Sequence, residues 1–392
     1  MFLNLTVPDD APSVSKENII RARKWIQKGQ ANVRKSIKSK TCLYCGKEVT
    51  SFCNSHSVPA FCLRSIAWDG KIYNPNHLLK LPAMDEDAGV KNSGTFQIIC
   101  RECDSTIFQD YESEKSFDAQ PAGLILSSIV LKNYLARIAS VRFTQEEFRY
   151  LIRYVFQKSA PGDEEAVRWF KEQLPKIPFW MAKIRAGERD LEDYTNGFKI
   201  AKRAKERKWD NEYYLFYFQK LPYTVPVAFQ LCFPLILDLD NQVINNIYDY
   251  SARITEKDLH ICIFPMSGKS VILAFTHRKD SSSYRRFFKQ LKALPLDEQL
   301  SVILYMILLY SENVYFSKLL PENIFECSSI VKATQQNSDL LFETPDFDLR
   351  EALNAGYSLS KHKDIPPLLS ERYSMETLRA QTKKHEEQTT DE

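Results

Sequence analysis

Two cysteine pairs carry the clearest chemistry in the chain. Cys42-Leu-Tyr-Cys45 and Cys100-Arg-Glu-Cys103 each set two thiols two residues apart, the spacing at which a tight turn brings both thiolates to one tetrahedral ion. Gly46 follows the first pair directly, as a knuckle-shaped turn prefers. One pair is half a site, so together they predict a structural zinc held by Cys42, Cys45, Cys100 and Cys103. A second partition also fits. Cys42, Cys45, Cys53 and His56 read as C-x2-C-x7-C-x2-H, which would make His56 a ligand and leave Cys100 and Cys103 without partners.

Between the pairs lies Asn54-Ser-His56-Ser-Val-Pro59. With the flanking cysteines, this stretch resembles the HNH, or His-Me finger, endonucleases, whose histidine stands three residues before a proline on the strand after the first knuckle. The resemblance covers residues 41 to 112. It implies a zinc-braced treble-clef module, ββα in plan, acting on DNA, with His56 as the base that takes a proton from attacking water. It further implies a divalent ion of the magnesium type at the scissile phosphate. Asp104, just after the second knuckle, would bind that ion; Glu112, two helical turns on, would complete its shell; Asn92 would be the middle asparagine. Ser55 departs from the Asp or His that the family usually carries there. Read without the likeness, Asp104 is a helix N-cap, Asn92 a turn residue and Glu112 a solvated carboxylate.

The elements around these residues follow from periodicity. Ile19, Ala22, Ile26, Val33 and Ile37 form one helical stripe within residues 14–40, and Arg21, Lys24, Lys28, Arg34, Lys35 and Lys38 around it could hold a phosphate backbone. Helical spacing returns at Leu124–Ile138, and Thr144-Gln-Glu-Glu147 reads as a capping box that starts a second helix over 145–158. Residues 163–208 continue helical and end in the basic cluster Lys199, Lys202, Arg203, Lys205, Arg207 and Lys208, a linker face or a second phosphate-contacting surface. Alternation then predicts two hairpins, Val227–Phe233 with Val243–Tyr248, and His260–Phe264 with Ser270–Phe275, followed by helices at 284–294 and 297–310.

The class expected is therefore α+β: a zinc-braced N-terminal module, a helical middle and a C-terminal domain with antiparallel hairpins. The boundaries read as a tail at 1–13, the basic helix at 14–40, the module at 41–120, helices at 121–210, an α+β domain at 211–345 and a polar, partly disordered tail at 346–392. Net charge is only +3, so affinity for a polyanion must come from local patches. Nine cysteines, four of them in two pairs, point to metal ligation in a reducing compartment. No secretory signal is visible, and the apolar run Leu300–Tyr310 is too short to span a bilayer, so a cytoplasmic protein without a membrane partner is expected. DNA is the expected partner, RNA remains open for want of a base-stacking motif, and residues 211–345 would sense a ligand or protein partner. Defence against foreign DNA would suit such a fusion by analogy. The competing function is a catalytically silent zinc module that binds nucleic acid or protein, and Ser55 favours it.

Overall fold

A computed structural model describes residues 16–73, 87–158, 164–247, 256–311, 313–336 and 356–390. In chain order, the basic helix is α1 (Lys16–Ser36), followed by β1 (Ser55–His56), α2 (Ala60–Ile66), β2 (Lys71–Tyr73), β3 (Asp87–Gly89), β4 (Thr95–Phe96) and α3 (Arg101–Phe108). Two long helices come next, α4 (Gly123–Lys158) and α6 (Ile177–Glu206), with the short α5 (Glu164–Gln173) between them. The C-terminal half holds β5 (Tyr213–Leu221), β6 (Val227–Pro234), β7 (Asp258–Met266), β8 (Lys269–His277), α7 (Ser281–Ala293), α8 (Leu296–Tyr310), β9 (Val314–Ser317), α9 (Ser328–Gln336) and α10 (Met375–Thr390). The fold is mixed helix and antiparallel sheet, as an α+β reading requires.

The capping box expected at Thr144 does not start a helix. α4 runs unbroken for 36 residues because α6 packs along it, and tertiary burial overrides a local cap signal. Two glycines of α6 permit the approach. A Cβ at Gly197 would lie 2.4 Å from the Tyr134 ring, and one at Gly187 would lie 2.9 Å from Gln145. Gln145, inside the supposed cap, is buried and donates to the Ile184 carbonyl at 2.9 Å. An 18-residue window of α4 is long and apolar enough to cross a membrane by composition, yet 61% of it is buried inside the protein; its Leu126–Leu135 stretch belongs to the core.

Seven strands form one antiparallel sheet in the order β3-β2-β9-β6-β7-β8-β5. The β7–β8 hairpin is the one expected, turning at Gly268 with φ +69°. The other expected hairpin is replaced. β6 pairs with β7 and β9, and among the described residues the 243–247 segment meets the chain through the bridge of Leu237 with Val243 and the Ile244 and Asn245 amides on Ile236 O, without forming a strand; Tyr248 lies outside the described residues. The Asp238 carboxylate accepts the Asp240 and Gln242 amides at 2.9 Å each, which closes a tight loop there instead of a second strand.

Strands β2 and β3, from inside the 41–120 module, extend the sheet built by residues 213–317, through β2 on β9. One hydrophobic cluster accordingly runs from Cys42 to Leu378, and a smaller one gathers Phe148, Val155 and Trp180. The sheet face towards α4 carries His260 and Gln230, both buried, whose polar atoms meet Asn133 at 3.1 and 2.9 Å. Phe216 of β5 stacks on Phe288 of α7, and Phe233 of β6 on Tyr310 of α8.

The expectation of a polar, partly disordered tail fails for residues 356–378. Leu359, Ile365, Leu368, Leu369, Met375 and Leu378 are buried, Tyr357 stacks on Tyr310 at 5.7 Å, and Glu376 accepts from the Thr224 hydroxyl at 2.7 Å. These apolar residues lie scattered among charges, so no stripe marks them in sequence. Packing selects them one at a time.

Candidate metal centre and histidine pocket

The first cysteine pair sits in a loop closed by a bridge between Thr41 and Glu48, with Cys42 N–H on Lys47 O and Gly46 N–H on Cys42 O, both at 2.9 Å. Gly46 takes φ +73°, a backbone conformation open to glycine at no steric cost. Cys100 immediately precedes α3 and Cys103 lies in its first turn. Leu43 N–H meets Ile98 O at 3.0 Å, and the Cys100 amide donates to Cys42 Sγ at 3.3 Å. The two pairs therefore face each other. All four Sγ atoms lie within 4.8 Å of one another, compatible with the roughly 3.8 Å edge of a tetrahedron whose metal–sulfur bonds are about 2.3 Å. Burial pushes the Cys42 thiol up, but amides of Cys45, Cys100 and Tyr44 outweigh it and leave the thiol at about 7. This four-thiol set is a site that could hold zinc.

The rival partition is not assembled. Cys53 turns its thiol to Asp104 Oδ2 at 3.3 Å, where burial and that carboxylate push it up to about 11. Cys62, by contrast, is fully buried in α2. His56 lies away from the thiols, its Nε2 3.1 Å from the Val90 carbonyl. A carbonyl can only accept, so Nε2 carries the proton and Nδ1 is left as an acceptor. Burial, and then the charge of Lys132, hold the imidazolium form below its usual range, against the Val90 bond that raises it.

The strand beneath His56 is braced from the far sheet. Ser57 N–H binds Gly94 O at 2.7 Å; its hydroxyl meets Asn313, which also receives the Tyr315 hydroxyl at 2.6 Å. Gly94 stands at φ +60°, where a Cβ would fall 2.2 Å from Tyr315 Oη.

Asp104 is not the N-cap of α3. Cys100 occupies that position, and Asp104 stands in the first turn, where its Oδ1 accepts the Ser55 hydroxyl. Glu112 pairs with Lys132 of α4, an ammonium 1% exposed that also lies 4.0 Å from the centre of the Phe108 ring. Asn92 is exposed at the end of the short turn Val90–Asn92. Among the described residues no set of three or more His, Cys, Asp or Glu side chains other than the four cysteines gathers closely enough to hold a metal. The oxygen donors expected for a catalytic ion are thus engaged elsewhere, Asp104 by Ser55 and Cys53, Glu112 by Lys132.

Arg21, Lys24, Lys28, Arg34, Lys35 and Lys38 are all exposed, and none has an ion-pair partner among the described residues. Sequence reasoning missed Lys132, Val90, Asn313 and Tyr315. A lone lysine in the apolar run Leu124–Ile138 was a usable signal for the first; the others carried none. The Ser267-Gly268-Lys269-Ser270 run is the β7–β8 turn.

Comparison with family models, with curated proteins and with solved structures finds no match.

Proposed function

We propose that residues 41–112 form a divergent HNH-type treble-clef module and that the protein hydrolyses phosphodiester bonds of DNA. One observation carries this reading: the Val90 carbonyl accepts from His56 Nε2, so Nδ1 is left as a neutral acceptor, in the same 41–112 segment that gathers the four cysteines. In that role Nδ1 takes the proton of a water, the hydroxide attacks phosphorus, the bond from phosphorus to the 3′ oxygen breaks, and that oxygen takes a proton from solvent water. Zinc would be structural, tying together a loop-rich segment. A magnesium-type ion, if present, would be held through Asp104 and would offset charge on the phosphate. The exposed cations of α1 would hold the backbone. A cytoplasmic setting, a regulatory partner for the C-terminal sheet and a role against foreign DNA belong to the same proposal.

Plasmid nicking with added magnesium tests it. His56→Ala should lower the rate about 100-fold or more; equal rates, or no nicking by either protein, would remove the assignment.

A second reading has its own observation. Asp104 and Glu112 are both satisfied by protein partners, as suits a silent zinc-braced module that binds nucleic acid or protein. Salt-sensitive DNA binding with no cleavage under any divalent metal selects it.

A further inference from the structure

The end of α6 separates its cations into two classes. Lys202 reaches the Tyr44 carbonyl at 2.5 Å, lies 4.7 Å from the centre of that ring and pairs with Glu206 at 3.8 Å. Lys205 pairs with Asp110. These contacts, with Phe198 edge-on to Tyr44, seat the helix end on the first cysteine knuckle. Lys199, Arg203 and Arg207 recur every four residues, Lys208 follows, and all four are exposed. None of the four has an ion-pair partner among the described residues.

Like charges four residues apart weaken a helix by a few tenths of a kcal/mol per pair. The helix dipole favours cations only in the last turn, so it accounts for the end of the stripe and not for Lys199. At about 1.5 Å per residue the stripe from Lys199 to Arg207 is about 12 Å long, and one DNA strand presents a charge about every 3.4 Å of duplex axis. A membrane-binding helix would intersperse large apolar residues among its cations; here Trp209, beside Arg207, is the sole exposed large apolar residue of the helix end among the described residues.

We propose that Lys199, Arg203, Arg207 and Lys208 form a phosphate-contacting surface for duplex DNA, holding the backbone against the flank of the cysteine cluster. The proposal rests on the nucleic-acid reading above. Its test is anisotropy of a labelled 20-base-pair duplex with the full-length, zinc-loaded protein, calcium replacing magnesium. Lys199→Glu/Arg203→Glu should weaken binding by about 10-fold or more at about 100 mM salt, and lower the salt slope by about two. The milder Lys199→Ala/Arg203→Ala should lower it in the same direction, and zinc content and melting temperature should stay unchanged in both. Wild-type affinity in both doubles overturns this surface while leaving the nucleic-acid reading intact. Failure of the wild type to bind duplex overturns that reading itself. Tighter binding to phosphatidylserine vesicles than to duplex, lost in the same doubles, overturns DNA as the occupant.

Discussion

Ser57 and Asn313 hydrogen-bond at 3.0 Å across 256 positions of sequence. The residue after the candidate base is thereby held by β9's leading edge, from the far end of the chain. Asn313→Ala leaves the Ser57 and Tyr315 hydroxyls short of a partner, so unfolding should cost about 1–2 kcal/mol less than in the wild type. Urea titration reads this. An unchanged midpoint would mean that the brace carries no energy.

Metal content separates the two cysteine partitions. Wild type should carry one zinc per chain, Cys100→Ser should lose it, and Cys53→Ser should keep it, since Cys53 faces Asp104 and not the other thiols. Loss in Cys53→Ser with retention in Cys100→Ser would return His56 to the metal.

Lys132 and Glu112 should respond unequally to neutralisation. Glu112→Gln strands an ammonium that is 1% exposed, whereas Lys132→Met removes the charge and keeps the apolar stem. The first should destabilise by about 2 kcal/mol, less than a fully buried broken pair because Glu112 stays partly in water, and the second by less. The reverse order in thermal or urea unfolding would contradict this account of Glu112.

His260 gives a pH signature. Its site is fully buried, and burial followed by the neighbouring His277 lowers it to about 3 from an ordinary 6.5. The unfolded chain therefore binds this proton first. The contribution is complete above pH 6.5 and is lost progressively as pH falls towards about 3. Glu256 and Asp258, raised to about 8 and about 6 chiefly by burial, work oppositely: their stabilisation is present at low pH and is lost as pH rises through those values. The comparison must therefore be wild type against His260→Gln, between pH 7 and pH 5. The wild type should lose more stability than the variant on acidification, by up to about 1.4 kcal/mol per pH unit; parallel curves would show that His260 is not the group.

Much of the local structure was legible because it depends on neighbours in sequence. The i, i+3, i+4 stripe of α1 and the Pro-Met-Ser-Gly turn of β7–β8 are both written within a few residues. The same local signals failed where distant packing outbid them: the Thr144 box inside α4, the expected second strand at 243–247, and the residues of 356–378 that fill the core.

For the candidate site the division is sharper. Sequence alone supplied the four cysteines and their order, because thiolate ligation restricts which residues can serve and how closely paired ligands must be spaced; His56 and Asp104 were singled out by the resemblance to the HNH endonucleases. Sequence left open which thiols share a site, and tertiary structure decided that by placing the Sγ atoms of Cys42, Cys45, Cys100 and Cys103 within 4.8 Å of one another. The Val90 carbonyl on His56, the Lys132 ammonium on Glu112 and the Ser55 hydroxyl on Asp104 were likewise set by the fold. The direction of a hydrogen bond, and the charge beneath a carboxylate, depend on atoms that arrive from other strands and helices, and no spacing rule within a sequence encodes their arrival.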